Sequence, residues 1–214
     1  MMQSMSGWPP EDAEFYGEAL ALLAAAQETL AARVELIRRA EKERAGRDPV
    51  EHVKTRMKKA QSMREKLMRR GFAPSAEAAL RWMHDAVGVR VVCSFLEDVY
   101  RIAEQIRQQE AWTVLSEKDY IHRPKPNGYR SYHMIVQLPV RAAGDIRQVY
   151  GEVQLRTLAM DTWASLEHEM KYKGAMPDQG MLADELKRCA DEIASTDLSL
   201  QTLRDLMDGK LEKI

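Results

Sequence analysis

The chain has 214 residues, 45% hydrophobic and 30% charged, which is enough apolar material for one large globular domain with helical additions. Its 32 Lys and Arg nearly balance 33 Asp and Glu, and the net charge of −1 argues against a surface built to coat long polyanions. No apolar run reaches the roughly 18 to 20 residues that cross a bilayer, and "MMQSMSGWPPEDAEF" lacks the basic-then-apolar order of a secretion signal, so a cytoplasmic protein with no membrane partner is expected.

Residues 1–10 are expected to be flexible. From 11 to 45, Leu20, Leu23, Leu30, Val34 and Ile37 recur at helical spacing on an Ala-rich background, which predicts one long amphipathic arm that "RAGRDPV" ends. A second helix is expected over about 50–70, stopping at Gly71 after basic residues in its last turn, and "AEAALRWMH" reads as a third. The period then changes. "AVGVRVVCSF", "WTVLSEKDY", "SYHMIVQLPV" and "RQVYGEVQLRT" are rich in β-branched and aromatic residues and read as strands, with "EDVYRIAEQIRQQ" a helix among them. "LAMDTWASLEHEMKYK" and a stretch from about 181 to 212 read as helices. The expected class is α+β: a mixed sheet of about five strands flanked by helices, a central domain over 46–175 and a C-terminal helical arm over 176–214. Cys93 and Cys189 lie far apart without metal-ligand spacing and read as buried small hydrophobes.

Three stretches carry candidate chemistry. "KTRMKKAQSMREKLMRR", residues 54–70, holds eight Lys or Arg against one Glu. Such a run is either a solvated helix face or a patch for RNA or phosphate, and in a neutral protein it suits a small anionic ligand more than a long polyanion. "HRPKPNGYRSYH" is either a surface loop or a rigid platform for a nucleotide, with prolines stiffening it, cations for phosphate and a ring for a base. In "VYGEVQLRT" the two-residue period sets Val149, Gly151, Val153 and Leu155 on one face and Glu152, Gln154 and Arg156 on the other, and His133 falls opposite Tyr132 and Met134. His133 and Glu152 can therefore share a groove. Simple alternation separates Asp85 from Arg90, so both serve one site only if Asp85 lies in the turn or Gly88 forms a bulge.

Two carboxylates from different strands are a normal way to hold Mg²⁺ with substrate phosphates. The chain has no G-x-x-x-x-G-K-[ST], no G-x-G-x-x-G and no H-E-x-x-H, so any nucleotide must be held by side chains and metal, and phosphoryl-type chemistry is what remains.

Read together and in order, "RMKKAQSMREKLMRRG", "HDAVGVRVVC", "KPNGYRSYHMIV" and "EVQLRTLAMDTWASLEHEMKYK" closely resemble the synthetase domain of RelA/SpoT-type alarmone synthetases. The resemblance implies a nucleotidyltransferase-like domain, and a transferase of the stringent response that moves pyrophosphate from ATP to the 3′-hydroxyl of GDP or GTP, with GMP left open as an acceptor. It implies Mg²⁺ at Asp85 and Glu152, with Glu152 also accepting the 3′-hydroxyl proton. Arg56 and Arg90 would sandwich the adenine, with Lys58, Ser62 and Lys66 near the ATP phosphates. On the acceptor side Tyr129 would stack on guanine in a turn set by Asn127, Lys125 and His133 would meet phosphates, and Gln154, Arg156 and Glu167 would support them. The ends of the chain leave no room for the family's hydrolase or regulatory domains, so a stand-alone synthetase without hydrolase activity is expected. Relatives of this length form homotetramers through helical arms, and the stripe Leu182, Leu186, Cys189, Ile193, Leu200, Leu203 and Met207 could fold onto the first helix or another subunit. Some relatives bind their product through a Phe-x-Thr pair. His52 and Lys54 stand there, so stimulation by pppGpp is expected to be weak or absent, with RNA or alarmone as candidate regulators. Tyr132, where relatives usually have Leu, is expected only to repack the core. The rival reading is a catalytically silent nucleotide- or RNA-binding regulator on the same fold.

Overall fold

The computed structural model describes residues 8–142, 144–173 and 179–210, so the flexible stretch expected at the N-terminus falls for residues 1–7 outside the described residues. The chain runs α1 (Pro10–Tyr16), α2 (Ala19–Ala45), β1 (Val50–Met57), α3 (Ala60–Arg69), α4 (Ala76–Trp82), β2 (Val87–Cys93), α5 (Leu96–Arg107), β3 (Thr113–Asp119), β4 (Tyr132–Ala142), β5 (Asp145–Thr157), α6 (Leu158–Lys173) and α7 (Gln179–Met207). The five strands form one mixed sheet in the order β1-β2-β5-β4-β3, with β2 and β5 parallel and the other pairs antiparallel. This is the α+β architecture expected from the period changes. Among the described residues no helix is long and apolar enough to cross a membrane.

Two expectations fail at the N-terminal end. The single helix over 11–45 is two, because Gly17 takes a positive φ of 51° that a helix cannot continue through. The turn lets Asp12 accept from the Ala60 N–H at 2.6 Å while the buried Tyr16 hydroxyl donates to the Lys58 carbonyl at 2.6 Å, so α1 fixes the entry to α3. The helix expected over 50–70 is a strand followed by a shorter helix. "VEHVKTRM" pairs along its length with β2, and the helix begins only at Ala60, after Lys59 turns extended. Pairing with a strand some forty residues away outweighs the helical preference of Lys, Arg and Met.

The sheet's covered face packs on α2 and α5. Leu23, Leu30 and Val34 of α2 meet Val89, Val153, Met134, Val136 and Leu138, all essentially inaccessible. Burying a Leu such as Leu30 contributes about 1.5–3 kcal/mol. Gly151 makes this approach possible, since a Cβ there would lie 2.8 Å from Leu30 Cδ2. Cys93 is buried as expected, and burial pushes its thiol far up and leaves it inert, but Cys189 is only partly covered. Tyr132 does more than repack: its hydroxyl donates to Glu117 at 2.6 Å.

Of the two partners expected for the α7 stripe, the first helix is not the one within the chain. α7 packs on α6 and α5, where Leu186 and Ala190 close a small cluster with Trp163, and Leu200, Leu203 and Met207 stay exposed.

Candidate active site

The other face of the sheet is polar, and its register explains how residues far apart in sequence meet. One row of paired positions runs Arg56, Gly88, Glu152, Ile135 and Ser116 across all five strands; the next runs Lys54, Arg90, Gln154, His133 and Lys118. Gly88 has a specific use in the first row. Arg56 lies across it, with Cγ and Nε 3.5 Å from where a Cβ would be, and so brings its guanidinium within 3.8 Å of Glu152 Oε2. β2 pairs with both neighbours in unbroken register at Gly88, and Asp85 lies in the turn before the strand. The turn, not a bulge, lets Asp85 and Arg90 serve one face.

Two cavities open on this face. One of about 190 Å³ has Arg56, Arg90 and Lys54 in its wall. The other, of about 280 Å³, has Lys66, Asp85, Lys125, His133 and Glu152 in its wall, together with Tyr120. Both carboxylates therefore open into the second cavity, while Glu152 also touches Arg56 of the first.

Asp85 Oδ2 accepts from Lys66 Nζ at 2.6 Å and lies 3.0 Å from Lys58 Nζ. Burial pushes this carboxyl up, but the two lysines outweigh it and hold it below the usual range, so it is ionised. Its Oδ1 is buried without a hydrogen-bond partner. Glu152 is also held low: burial opposes ionisation, and His133 and Gln154 more than compensate. Its Oε1 lies 3.1 Å from His133 Nδ1, and its Oε2 accepts from Gln154 at 2.7 Å. Among the described residues no three His, Cys, Asp or Glu side chains gather as a metal cage. Two ionised carboxylates, one with an orphaned oxygen, fit a hard cation that keeps water and phosphate ligands, as Mg²⁺ does.

Tyr129 is held from several sides. Arg156 Nη2 donates to its oxygen at 2.6 Å, and that oxygen lies 2.9 Å from His133 Nε2. One proton arrangement satisfies the whole chain: Arg156 donates to Tyr129, Tyr129 to His133, and His133 through Nδ1 to Glu152. Lys125 Nζ stands 4.7 Å over the Tyr129 ring and 4.8 Å over that of Tyr120. Asn127 accepts the Tyr129 N–H at 3.3 Å and donates to Glu167 of α6 at 3.0 Å. Ser62 sits exposed on α3 one turn before Lys66; of the expected residues it, Lys58, Asn127, Tyr129, Arg156 and Glu167 line neither cavity, and Tyr129 reaches the larger one through its contacts to Lys125 and His133.

One residue that sequence reasoning passed over joins the two halves. Asp161, in the first turn of α6, accepts from Arg90 at 3.0 Å and from the buried Arg156 at 2.9 Å, both through Oδ1, and its Oδ2 lies 3.7 Å from His52 Nε2. Burial and the neighbouring Arg156 charge press the Arg90 guanidinium down, and Asp161 partly offsets this. The available signal was chemical: an Arg on a strand's site face needs a carboxylate once buried, and Asp161 is the first acid after Arg156.

The comparisons with known proteins agree with one another. Residues 55–176 match the family described as "Region found in RelA / SpoT proteins". The GTP pyrophosphokinase YwaC of Bacillus subtilis is 43% identical over 146 residues, 68% of this chain and 70% of that protein. Small alarmone synthetase 2 from Bacillus subtilis superposes with a TM-score of 0.78 at 37% identity, covering 87% of this chain and 96% of that one. Small alarmone synthetase 1 from the same organism, bound to its product pppGpp, gives 0.82 at 28% identity and covers 94% and 100%. A match over more than half of its length, with the sheet and polar face that the motifs require, means that the chain belongs to the RelA/SpoT family.

Proposed function

We propose that this protein moves the pyrophosphoryl group of ATP to the 3′-hydroxyl of GDP or GTP, making ppGpp or pppGpp and releasing AMP. The observation that carries the reading is the ionised pair Asp85 and Glu152, ringed by Lys58, Lys66 and Arg56, where Glu152 lines the larger cavity and reaches Arg56 in the wall of the smaller one.

The planar guanidinium groups of Arg56 and Arg90 flank the smaller cavity and suit an adenine between them, since they stack where an ammonium does not. Lys58 and Lys66, now paired with Asp85, exchange that carboxylate for the triphosphate, with Ser62 close by on the same helix. Tyr129 stacks on the acceptor guanine, and Lys125 leaves the Tyr129 ring for a phosphate, joined there by His133. Asn127 and Glu167 hold the turn, and Gln154 and Arg156 hold Glu152 and Tyr129 in orientation. Mg²⁺ bound at Asp85 and Glu152 would neutralise the triphosphate and polarise its β-phosphorus. The acceptor 3′-oxygen forms its bond to that phosphorus as the bond to the α,β-bridging oxygen breaks, and AMP leaves with the bridging oxygen. The hydroxyl proton passes to Glu152, which its neighbours keep ionised and ready to accept it.

Residues 46–175 form the synthetase domain in this reading, working in the cytoplasm. The exposed Leu198, Leu200, Leu203 and Met207 on α7 favour a homotetramer assembled through helical arms. His52 points at Asp161 and Lys54 lines the smaller cavity, which leaves little for a pppGpp regulator to hold at those positions; RNA is the other candidate regulator.

The test is to incubate purified protein with Mg²⁺, ATP and, separately, GMP, GDP or GTP, and to separate the nucleotides by ion exchange. AMP and a 3′-pyrophosphorylated guanine nucleotide should appear in equal amounts with GDP and GTP. Binding of both nucleotides with no turnover would overturn the reading in favour of a silent regulator.

A further inference from the structure

The loop that carries Tyr129 has few anchors of its own. Lys125 N–H donates to the Tyr129 carbonyl at 3.1 Å and Gly128 N–H to the Lys125 carbonyl at 2.8 Å, which closes the turn without fixing it to the body of the protein. Much of that fixing comes from α7. Gly128 has φ +86°, and a Cβ there would lie 2.6 Å from Ala190 Cβ and 3.4 Å from Lys187 Cα. Loop backbone and helix thus meet through a glycine on one side and an alanine on the other, and a small pocket of about 10 Å³ beside the contact is walled by Gly128, Arg130, Trp163 and Ala190. Arg130 spans the same seam. Its Nη1 donates at 3.1 Å both to the Gly128 carbonyl and to the Ala190 carbonyl, and its Nη2 donates at 3.0 Å to Asp191. The Tyr129 side chain packs on the Trp163, Leu186 and Ala190 cluster. The helix is itself pinned from below: Trp163 Nε1 donates to the Leu186 carbonyl at 2.8 Å, and the Thr157 hydroxyl donates to Asp197 at 2.5 Å.

We propose that α7 is a working part of the acceptor half, in which the Gly128–Ala190 contact and the Arg130 clamp hold the Tyr129 ring at the angle that receives a guanine nucleotide. Arg130, Ala190 and Asp191 are then positioning residues: none lines either cavity beside the two carboxylates, and each acts through Tyr129. The proposal rests on the assignment of Tyr129 to the acceptor base. A side chain longer than a methyl at position 190 forces the loop outward, because Gly128 has no side chain that can move aside. Loss of the Arg130 charge frees the loop from the Ala190 carbonyl and the Asp191 carboxylate of α7 at once, and removes its brace to its own Gly128 carbonyl. The donor pocket is walled by β1, β2 and Gln154 of β5, and none of its lining residues belongs to this seam, so the disturbance should stay on one substrate.

The experiment compares Ala190→Leu, Arg130→Gln, Ala190→Gly and Tyr129→Ala with the parent in steady-state kinetics, and measures GDP and ATP binding separately by calorimetry. Ala190→Leu and Arg130→Gln should raise the KM and Kd for GDP about tenfold, equal to about 1.4 kcal/mol, with the ATP Kd within about twofold. Ala190→Gly removes the methyl that meets Gly128, so it should raise the GDP KM less than Ala190→Leu does while the ATP Kd stays within about twofold, a one-sided change that a general loss of stability would not give. Arg130→Gln keeps the test decisive if Ala190→Leu fails to fold. GDP affinity within twofold of the parent in Arg130→Gln, or equal losses for both nucleotides, would overturn the proposal. Unchanged GDP affinity in Tyr129→Ala would overturn the acceptor assignment itself, and this proposal with it; loss in Tyr129→Ala with none in Arg130→Gln would overturn the proposal alone.

Discussion

The donor and acceptor halves of this site use the same sheet face but restrain their functional groups differently. On the donor side Lys58, Lys66 and Arg56 extend from β1, the turn that follows it and α3, and each lies within 4 Å of a carboxylate of the site itself. On the acceptor side Tyr129 is fixed by a hydrogen-bond chain through Arg156 and His133, with Lys125 over its ring and α6 and α7 behind its loop. Binding ATP therefore means exchanging one set of anions for another. Binding the acceptor means sliding a base onto a ring already set in place, so less ordering entropy is lost on that side.

The strongest way to break this contrast is at Asp85. Asp85→Asn should cut turnover by more than about tenfold, a barrier increase above about 1.4 kcal/mol, because the oxygen set for the metal loses its charge. The same change frees Lys58 and Lys66 from their anionic competitor. ATP measured without Mg²⁺ should then bind no more weakly than to the parent, and weaker binding by calorimetry would contradict the exchange picture.

Asp161→Ala cuts the link between the halves. Arg90 and Arg156 would face each other without their shared carboxylate, so stability should fall by roughly 3 kcal/mol, as when one partner of a buried pair is removed. ATP and GDP affinity should fall together, in contrast to the acceptor-only loss expected at Tyr129. Thermal melting and two titrations check both statements.

The smallest effects concern pH. Asp85 and Glu152 have lowered folded-state values, so their contribution to stability is complete above the unfolded range of about 3.9 to 4.3 and is lost as pH falls through the folded values. They should add no slope between about pH 5 and 8. Asp197 behaves oppositely. Burial raises its value and the Thr157 hydroxyl only partly offsets this, so the folded state holds the proton more tightly and stability falls as pH rises through the folded value. Asp197→Asn should remove that fall and leave the protein no less stable at neutral pH, with a change within about 1 kcal/mol. A steeper fall in melting temperature between acid and neutral pH in the variant would contradict the assignment.

Much of the acceptor half was legible in the sequence, because β5 has a clean two-residue period. That period alone set Glu152, Gln154 and Arg156 on the face that His133 shares, as the paired rows bear out. The donor half was harder to read. β1 has the Lys, Arg and Met content of a helix, and only its pairing with β2 reveals a strand. Asp85 could not be oriented by alternation because it lies in a turn, where no period applies. The α7 seam left no trace either: Gly128 and Ala190 are small residues whose meaning depends on each other, and no pattern within one element announces a contact between two. Grouping the four motifs into one family came from their order along the chain and needed no geometry.

The account depends most on Glu152, which touches both halves. In a single-turnover experiment with γ-labelled ATP and excess GDP, the parent should carry the label into a guanine nucleotide bearing a 3′-pyrophosphate. Glu152→Gln, nearly the same size and able through its one remaining oxygen to keep the contact to His133, should bind both nucleotides and leave the label in ATP. Transfer by this variant at more than about a tenth of the parental rate, less than the roughly 1.4 kcal/mol assigned to the charge, would contradict the claim that this carboxylate takes part in the reaction.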